Sequence, residues 1–161
     1  MEARPARNED CEALGRGMKV VVDEDRWLAT QPPASAEELT ERFRFSIREG
    51  NLLFALVDGE EIVGALGLNQ TSAAGVLALG MWILPAWRGR DGGRLLIEAA
   101  LAARPPDVHK IELEVFPDNE AAIGLYEATG FEREGLRRDH YRRADGSLRS
   151  ALLMARLFVD E

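Results

Sequence analysis

Residues 81–96 read MWILPAWRGRDGGRLL, and this segment joins a predicted strand to a predicted helix. The strand before it, Val76 to Leu84, is almost continuously apolar, which is typical of a central strand, and Pro85 ends it. After it, apolar residues recur at helical spacing from about Gly92 to Ala103, and the two prolines that follow stop the helix. The segment therefore predicts a strand–loop–helix unit with a glycine-rich loop at its centre.

The loop within this unit, Trp87 to Arg94, has the composition of an anion-binding site. Its three glycines let backbone N–H groups approach a ligand closely, and its three arginines add positive charge. The helix start contributes the positive end of a dipole, which would stabilise a phosphate group. The loop is neither a Walker motif nor the dinucleotide fingerprint, because no Gly-Lys-Ser/Thr follows and no G-x-G-x-x-G occurs. A solvated basic loop is the alternative interpretation.

The rest of the chain predicts a mixed α/β domain. Ser35 with Glu38 forms a capping box at a helix start, and Asp58-Gly59 is a hairpin turn between two apolar strands. Strands and helices do not alternate strictly, so a doubly wound Rossmann sheet is disfavoured. The predicted elements are a helix from near Asn8 or Asp10, a helix from Ser35 to Arg48, strands at Asn51–Val57, Glu61–Leu68 and Val76–Leu84, a helix at Gly92–Ala103, a strand at His109–Phe116, a short helix ending at Gly130, and strands near Phe131–Arg138 and Leu148–Leu157.

Three polar residues late in the chain are candidates for binding or acid–base chemistry. Glu114 lies on the polar face of a predicted strand, near its C-terminal end, where a carboxylate can act as a general base. Asn119 and Tyr126 share one face of the next helix, about 10.5 Å apart along its axis, which suits an extended ligand held at two points. The alternatives are an exposed strand carboxylate, a helix N-cap and a half-buried aromatic residue.

Composition and charge disfavour several classes of protein. The chain has 161 residues, which fits a single domain over 1–161. Its net charge is −8, which disfavours nucleic-acid binding and favours cationic partners such as amines. Cys11 is the single cysteine, so no intrachain disulfide forms and a cytoplasmic location is expected. No window is apolar enough for a membrane span, and neither His109 nor His140 has metal-ligand spacing, so no metal is expected.

Four segments together resemble the GNAT superfamily of acyl-CoA N-acyltransferases. Residues 4–10 are similar to the first strand and helix start of that family, and residues 57–64 to its hairpin. Residues 81–96 resemble its cofactor motif. Residues 113–131, LEVFPDNEAAIGLYEATGF, resemble its second motif in the form found in ribosomal-protein-alanine N-acetyltransferases. The resemblance covers nearly the whole chain and depends on the order and spacing of all four segments.

The resemblance implies a fold, a cosubstrate and a set of site residues. The fold would be a single GNAT-like domain whose mixed, mostly antiparallel central sheet is splayed at the acetyl-CoA site and flanked by helices. Acetyl-CoA would be the acyl donor, without a metal. Glu114 would be the general base and Tyr126 the general acid. The residues expected to contact acetyl-CoA are Met81, Trp82, Ile83, Arg88, Gly89, Arg90, Asp91, Gly92, Gly93, Arg94 and Asn119.

One residue departs from the family motif. The motif starts at Arg88 and has glycine where this chain has Asp91, and a carboxylate there would repel a pyrophosphate. Aspartate is also a good N-cap and tolerates left-handed backbone better than most residues. We therefore expect Asp91 to cap the helix with its side chain turned away from the phosphates.

The implied chemistry is direct transfer of the acetyl group to a primary amine. A carboxylate takes the amine proton, through water, and a backbone N–H near Ile83 holds the carbonyl oxygen as charge develops. The acceptor stays open between a protein N-terminus and a small amine, and so does assembly as a homodimer. The alternative functions are a non-catalytic acyl-CoA-binding regulatory module and an acyltransferase for longer acyl chains.

Overall fold

The computed structural model describes residues 1–159, which form eleven helices and strands apart from two short 3-10 turns. All the predicted helices and strands are present, with ends within a few residues of those expected. The elements are β1 (Glu2–Pro5), α1 (Cys11–Asp23), α2 (Ala36–Arg48), β2 (Leu52–Asp58), β3 (Glu61–Gln70), β4 (Val76–Ile83), α3 (Gly92–Ala102), β5 (Lys110–Val115), α4 (Glu120–Ala128), β6 (Glu132–Arg142) and β7 (Leu148–Leu157).

The strands form one seven-stranded sheet in the order β1-β2-β3-β4-β5-β7-β6. Within residues 1–159, β4 and β5 form the one parallel pair. Their pairing covers three positions, from Val76 opposite Lys110 to Ala78 opposite Glu112. Beyond this point β4 still pairs with β3 and β5 with β7, but the two strands no longer pair with each other, so the sheet opens between them. This confirms the predicted mixed sheet that is mostly antiparallel and splayed between these two strands.

The helices cover the two faces of the sheet unequally. Helices α1 and α2 pack on one face over β2, β3 and β4, around a cluster that includes Leu14, Ala55 and Trp82. Helices α3 and α4 pack on the other face, in a larger cluster that includes Leu96 and Ile111 and extends to β7. On the α1–α2 face, these two helices therefore leave β5, β6 and β7 uncovered.

Two differences from the sequence predictions have a local cause. Strand β1 was implied by the family resemblance but not by apolar periodicity, because its four residues, EARP, include two charged side chains and a proline. Strand β6 extends to Arg142, four residues beyond the expected end. Its side chains are almost all exposed, so its length follows from pairing with β7 rather than from an apolar pattern. The predicted N-cap of α2 is confirmed, because Ser35 Oγ accepts a hydrogen bond from the Glu38 N–H at 3.1 Å.

The close packing of α1 on α2 depends on Gly15. A Cβ atom at this position would lie 2.8 Å from the Ala36 carbonyl oxygen and from the Thr40 nitrogen, which are backbone atoms that cannot rotate away. The two helices would have to separate to admit a methyl group.

We therefore predict that Gly15→Ala lowers the free energy of unfolding by about 1–3 kcal/mol through overpacking. Gly124→Ala is the matched control, because a Cβ there meets no atom within 4 Å and α4 should gain up to ~1 kcal/mol of helix propensity. Urea denaturation measures both variants. Equal changes in the two variants would contradict the role of Gly15.

Candidate active site

The gap between β4 and β5 exposes backbone groups of β4. The Leu84 N–H donates to the Val63 carbonyl at 2.9 Å, so this residue faces β3. Because backbone groups alternate along a strand, Met81 and Ile83 direct theirs to the opposite side, into the gap. An extended ligand could therefore pair with β4 in place of a missing strand.

Trp82 is oriented differently from its two neighbours. Its carbonyl oxygen faces β3, because a Cβ atom added to Gly64 of β3 would lie only 2.9 Å from that oxygen. Its indole ring is buried beneath α1, where Gly17 leaves room for it. The backbone and side chain of Trp82 thus hold β4 in the core, while the backbone groups of Met81 and Ile83 face the gap and their side chains lie beside Gly93 at the start of α3.

Arg88 is engaged within the protein. Its guanidinium donates to both carboxylate oxygens of Glu24, at 2.8 and 2.6 Å, and its Nε donates to the Ile83 carbonyl at 3.0 Å. The end of α1, the end of β4 and the glycine-rich loop are therefore fastened together. Since the Ile83 carbonyl is occupied, the Ile83 N–H is the group of that residue left to a ligand.

The loop that follows presents unpaired donors. No N–H from Gly89 to Arg94 donates to an acceptor within residues 1–159, and the side chains of Arg90 and Arg94 are exposed and make no ion pair there. Gly92 and Gly93 are both buried. A Cβ on either would lie 2.5 Å from a leucine side chain, Leu56 or Leu125, so glycine lets α3 begin close to the sheet and α4. These free N–H groups, with two arginines, fit a pyrophosphate.

Asp91 has a left-handed backbone, with φ of 63° and ψ of 5°, at the N-cap position of α3. Its side chain makes no capping hydrogen bond, so the expected cap is absent. Its backbone explains the glycine of the family motif, because glycine enters the left-handed region without the steric cost of a Cβ. The aspartate side chain is exposed.

Glu114 lies where the sheet opens, on the α1–α2 face of the sheet but beyond the part that these two helices cover, because its neighbours Leu113 and Val115 point into the opposite core cluster. It accepts hydrogen bonds from Arg137 Nη1 at 2.8 Å and from the Tyr141 hydroxyl, one on each carboxylate oxygen. It lines a cleft of about 290 Å³ between β4 and β5. The other lining residues are Ala78, Leu79, Glu112, Leu113, Glu134, Arg137 and Leu153.

A second, smaller pocket of about 30 Å³ also reaches Glu114. Its other lining residues are Trp27, Ala29, Val115, Phe116, Tyr141 and Ala151, so its walls are apolar and aromatic. Glu114 is thus the residue that borders both spaces. The carboxylate lies on the polar face of the strand, as predicted, whereas Trp27, Arg137 and Tyr141 beside it were not predicted from the sequence.

Tyr126 and Asn119 have different surroundings. Tyr126 is buried in the large core cluster, edge-on to Phe131 at 5.8 Å between ring centroids. Burial raises the pKa of Tyr126 to about 12. Asn119 is the N-cap of α4, and its Oδ1 accepts from the Ala122 N–H at 3.2 Å, which leaves its amide NH₂ free for a ligand.

Hydrogen bonds between residues 25–31 and residues 142–144 stabilise the wall of the smaller pocket. Arg143 is buried and binds Asp25 at 2.5 Å and the Leu28 carbonyl at 3.1 Å. Gln31 bonds to the Arg142 carbonyl and the Ala144 N–H. The charge of Arg143 is thus neutralised by a carboxylate that lies 118 residues away in the sequence.

The described residues contain no group of three metal-ligating side chains and no helix long and apolar enough to cross a membrane.

The acetyltransferase (GNAT) family matches residues 20–131 of the chain. The N-alpha-acetyltransferase RimI of Mycobacterium tuberculosis is 47% identical over 58 residues, which are 36% of this chain and 35% of that protein. The chain therefore spans about a third of that relative's length in the match.

Two other proteins are similar over more of the chain. The [ribosomal protein bS18]-alanine N-acetyltransferase of Haemophilus influenzae is 29% identical over 108 residues, covering 66% of this chain and 73% of that protein. A Salmonella typhimurium structure, solved with its cofactor acetyl-CoA, superposes with a TM-score of 0.88 at 16% identity, covering 100% of this chain and 95% of that one. At this identity the superposition shows the shared fold.

The geometry of Asp91 yields a stability prediction. Because the side chain caps nothing and the backbone is left-handed, Asp91→Gly should raise the free energy of unfolding by up to ~1 kcal/mol. Asp91→Asn is the control, since asparagine also tolerates this conformation and changes mainly the charge. Thermal denaturation measures both. A lower melting temperature for the glycine variant would mean that the aspartate side chain contributes to the helix start.

Proposed function

Because the chain belongs to the acetyltransferase (GNAT) family, we propose that it transfers the acetyl group of acetyl-CoA directly to a primary amine, with Glu114 as general base and Tyr126 as general acid. The observation that carries this proposal is the position of Glu114, which borders both the large cleft at the β4–β5 gap and the smaller pocket beyond it. A base between a donor site and an acceptor site can receive the proton that the transfer releases.

Acetyl-CoA would bind along β4 and at the start of α3. The free N–H groups of residues 89–94 and the side chains of Arg90 and Arg94 supply donors and charge for its pyrophosphate. Met81 and Ile83 would pair with its extended arm, and the amide NH₂ of Asn119 could reach it from the start of α4. Arg88 would act by fixing the loop through Glu24, since its guanidinium is already bound. Trp82 would act by supporting β4 from the core.

Proton removal falls to Glu114. Two of the roughly four lone-pair positions on its carboxylate accept from Arg137 and Tyr141, which leaves one on each oxygen for the amine or a bridging water. The Ile83 N–H would stabilise the negative charge that develops on the carbonyl oxygen. Attack then needs no covalent enzyme intermediate, and Cys11 is buried in α1.

Tyr126 would help the thiolate to leave. Its pKa of about 12 keeps its proton in place at any pH at which the enzyme is assayed. An ordinary thiol has a pKa near 8.5, which is well below that of Tyr126, so full transfer of that proton is uphill. The hydroxyl therefore acts first as a hydrogen-bond donor that stabilises charge on sulfur, and the proton follows late.

The acceptor we favour is a protein N-terminus that begins with a small residue. The relatives named above include one that acts on alanine of a ribosomal protein, and the small pocket here is lined by Ala29 and Ala151. A small cationic amine is the second acceptor class, because Glu112, Glu114 and Glu134 all line the large cleft. These carboxylates outnumber the two cations beside them, Arg137 in the lining and Lys110, which pairs with Glu134. The two acceptor classes differ in size, so an assay with a panel of peptides and small amines distinguishes between them.

A non-catalytic acyl-CoA-binding module is the competing function. One observation favours it: both oxygens of Glu114 already accept hydrogen bonds within the protein, which holds the carboxylate in place. Such a module would bind CoA and release no thiol with any amine.

Two measurements test the proposed function. Calorimetric titration with CoA should show binding, and its absence at millimolar CoA would end the cofactor assignment. Thiol release from acetyl-CoA should then be measured with an alanine-initiated peptide, the same peptide acetylated at its N-terminus, spermidine and free alanine. Acetylation of the first peptide and not of its blocked form is the expected result. CoA binding without turnover of any amine would favour the non-catalytic module.

Glu114→Gln keeps the shape of the side chain and removes its basicity. We predict a loss of kcat/KM of ~10²-fold or more at neutral pH, shrinking as pH rises because more of the amine is already neutral. Glu112→Gln, on the same strand and in the same cleft, is the comparison and should raise KM for cationic acceptors more than it lowers kcat. If Glu112→Gln instead shows the large, pH-dependent loss, the base is Glu112.

Tyr126→Phe removes one hydroxyl and keeps the ring packed against Phe131. We predict a fall in kcat of at least ~10-fold, with CoA affinity and melting temperature nearly unchanged. Steady-state kinetics with saturating acceptor and a thermal melt check this. Wild-type turnover with chemistry as the slow step would show that Tyr126 serves packing alone.

A further inference from the structure

Two side chains of β6 converge on one carboxylate of β5. Arg137 donates to Oε1 of Glu114 and Tyr141 to Oε2, across the sheet position that β7 occupies between the two strands. The Tyr141 ring also packs edge-on against Phe116, at 6.0 Å between centroids. Burial and the hydrogen bond to Glu114 raise the pKa of Tyr141 to about 12, so this hydroxyl stays protonated and donates a hydrogen bond to the carboxylate.

A regular strand would not bring these residues together. Positions four apart on a strand are ~13 Å apart along its axis. Here β6 is bulged: Arg137 lies opposite Ala151 and Tyr141 opposite Arg149, so four steps on β6 match two on β7. Within this bulge Asp139 has a left-handed backbone with φ of 48°, and its N–H donates to Ser150 Oγ at 3.0 Å.

The strained backbone of the bulge indicates a functional role. A non-glycine residue in the left-handed region costs free energy, and strained residues of this kind persist where the surroundings require them. Bulges next to active sites re-aim side chains. The result here is that one oxygen of Glu114 is fixed by a cation and the other by a neutral hydroxyl.

We propose that Tyr141 and Arg137 are positioning residues for the reaction, aimed by the β6 bulge, that hold the Glu114 carboxylate in the orientation needed to accept the proton of the amine. This proposal rests on the proposed function, in which Glu114 is the base. Neither residue touches the reacting atoms. Their whole effect on turnover passes through Glu114.

A double-mutant cycle tests this dependence. Tyr141→Phe and Arg137→Gln are each made in the wild type and in Glu114→Gln, and kcat and KM for acetyl-CoA are measured with the panel amine that is acetylated fastest. In the wild-type background each should lower kcat roughly tenfold, as expected for a lost hydrogen bond to a charged group, with KM for acetyl-CoA unchanged. In the Glu114→Gln background each should change kcat less than twofold.

Two further variants separate positioning from structure. Arg137→Lys keeps a cation that can reach one oxygen and should recover most of the lost turnover. Arg138→Gln removes a neighbouring exposed charge of β6 and should leave kcat unchanged. Melting temperatures within a few degrees of wild type show that the variants are folded. If Tyr141→Phe does not fold, the proposal is tested with Arg137→Gln alone.

The outcomes are distinct. An equal loss of kcat in both backgrounds would overturn the proposal, because Tyr141 or Arg137 would then act on the substrate or on the fold directly. Wild-type kcat in Tyr141→Phe and Arg137→Gln, with Glu114→Gln impaired, would overturn it and leave the base assignment standing. Full activity of Glu114→Gln would overturn both.

Discussion

The parallel pairing of β4 with β5 ends after three positions, and the candidate site follows from that ending. Beyond Ala78 the backbone of β4 keeps its hydrogen bonds to β3 and loses those on its other side. A buried strand edge is costly to leave unpaired, because each N–H and C=O needs a partner. The fold therefore contains an edge that a bound chain of amides can satisfy, and the start of α3 lies at its end.

Charged side chains organise the surroundings of this gap. Arg88 bound to Glu24 fixes the glycine-rich loop, and Arg143 bound to Asp25 fixes the wall of the smaller pocket. Pairs of this kind are costly to break from one side, since the remaining charge stays partly desolvated. Arg90 and Arg94, which lie at the helix start, have no such partner within residues 1–159 and keep their charge for a ligand.

The sequence was sufficient for the parts of the structure that depend on neighbouring residues. The N-cap at Ser35, the stop at Pro85 and the alternation around Glu114 each follow from local spacing, and the resemblance added β1 and the splay. Partners distant in sequence were not predictable. Nothing near Arg88 indicates that it binds Glu24, and the contact of Tyr141 with Glu114 depends on a bulge that no periodicity encodes. The missing cap of Asp91 likewise depends on backbone angles rather than on residue type.

Two consecutive residues that follow α1 bind two segments distant from each other in the sequence. Glu24 binds Arg88 of the loop after β4, and Asp25 binds Arg143 of the turn after β6. Gln31 adds two more bonds to that turn. Segments 24–31 and 142–144 are therefore structurally coupled. A chimera that takes the first segment from a relative should keep the wall of the smaller pocket intact only if it takes the second segment as well.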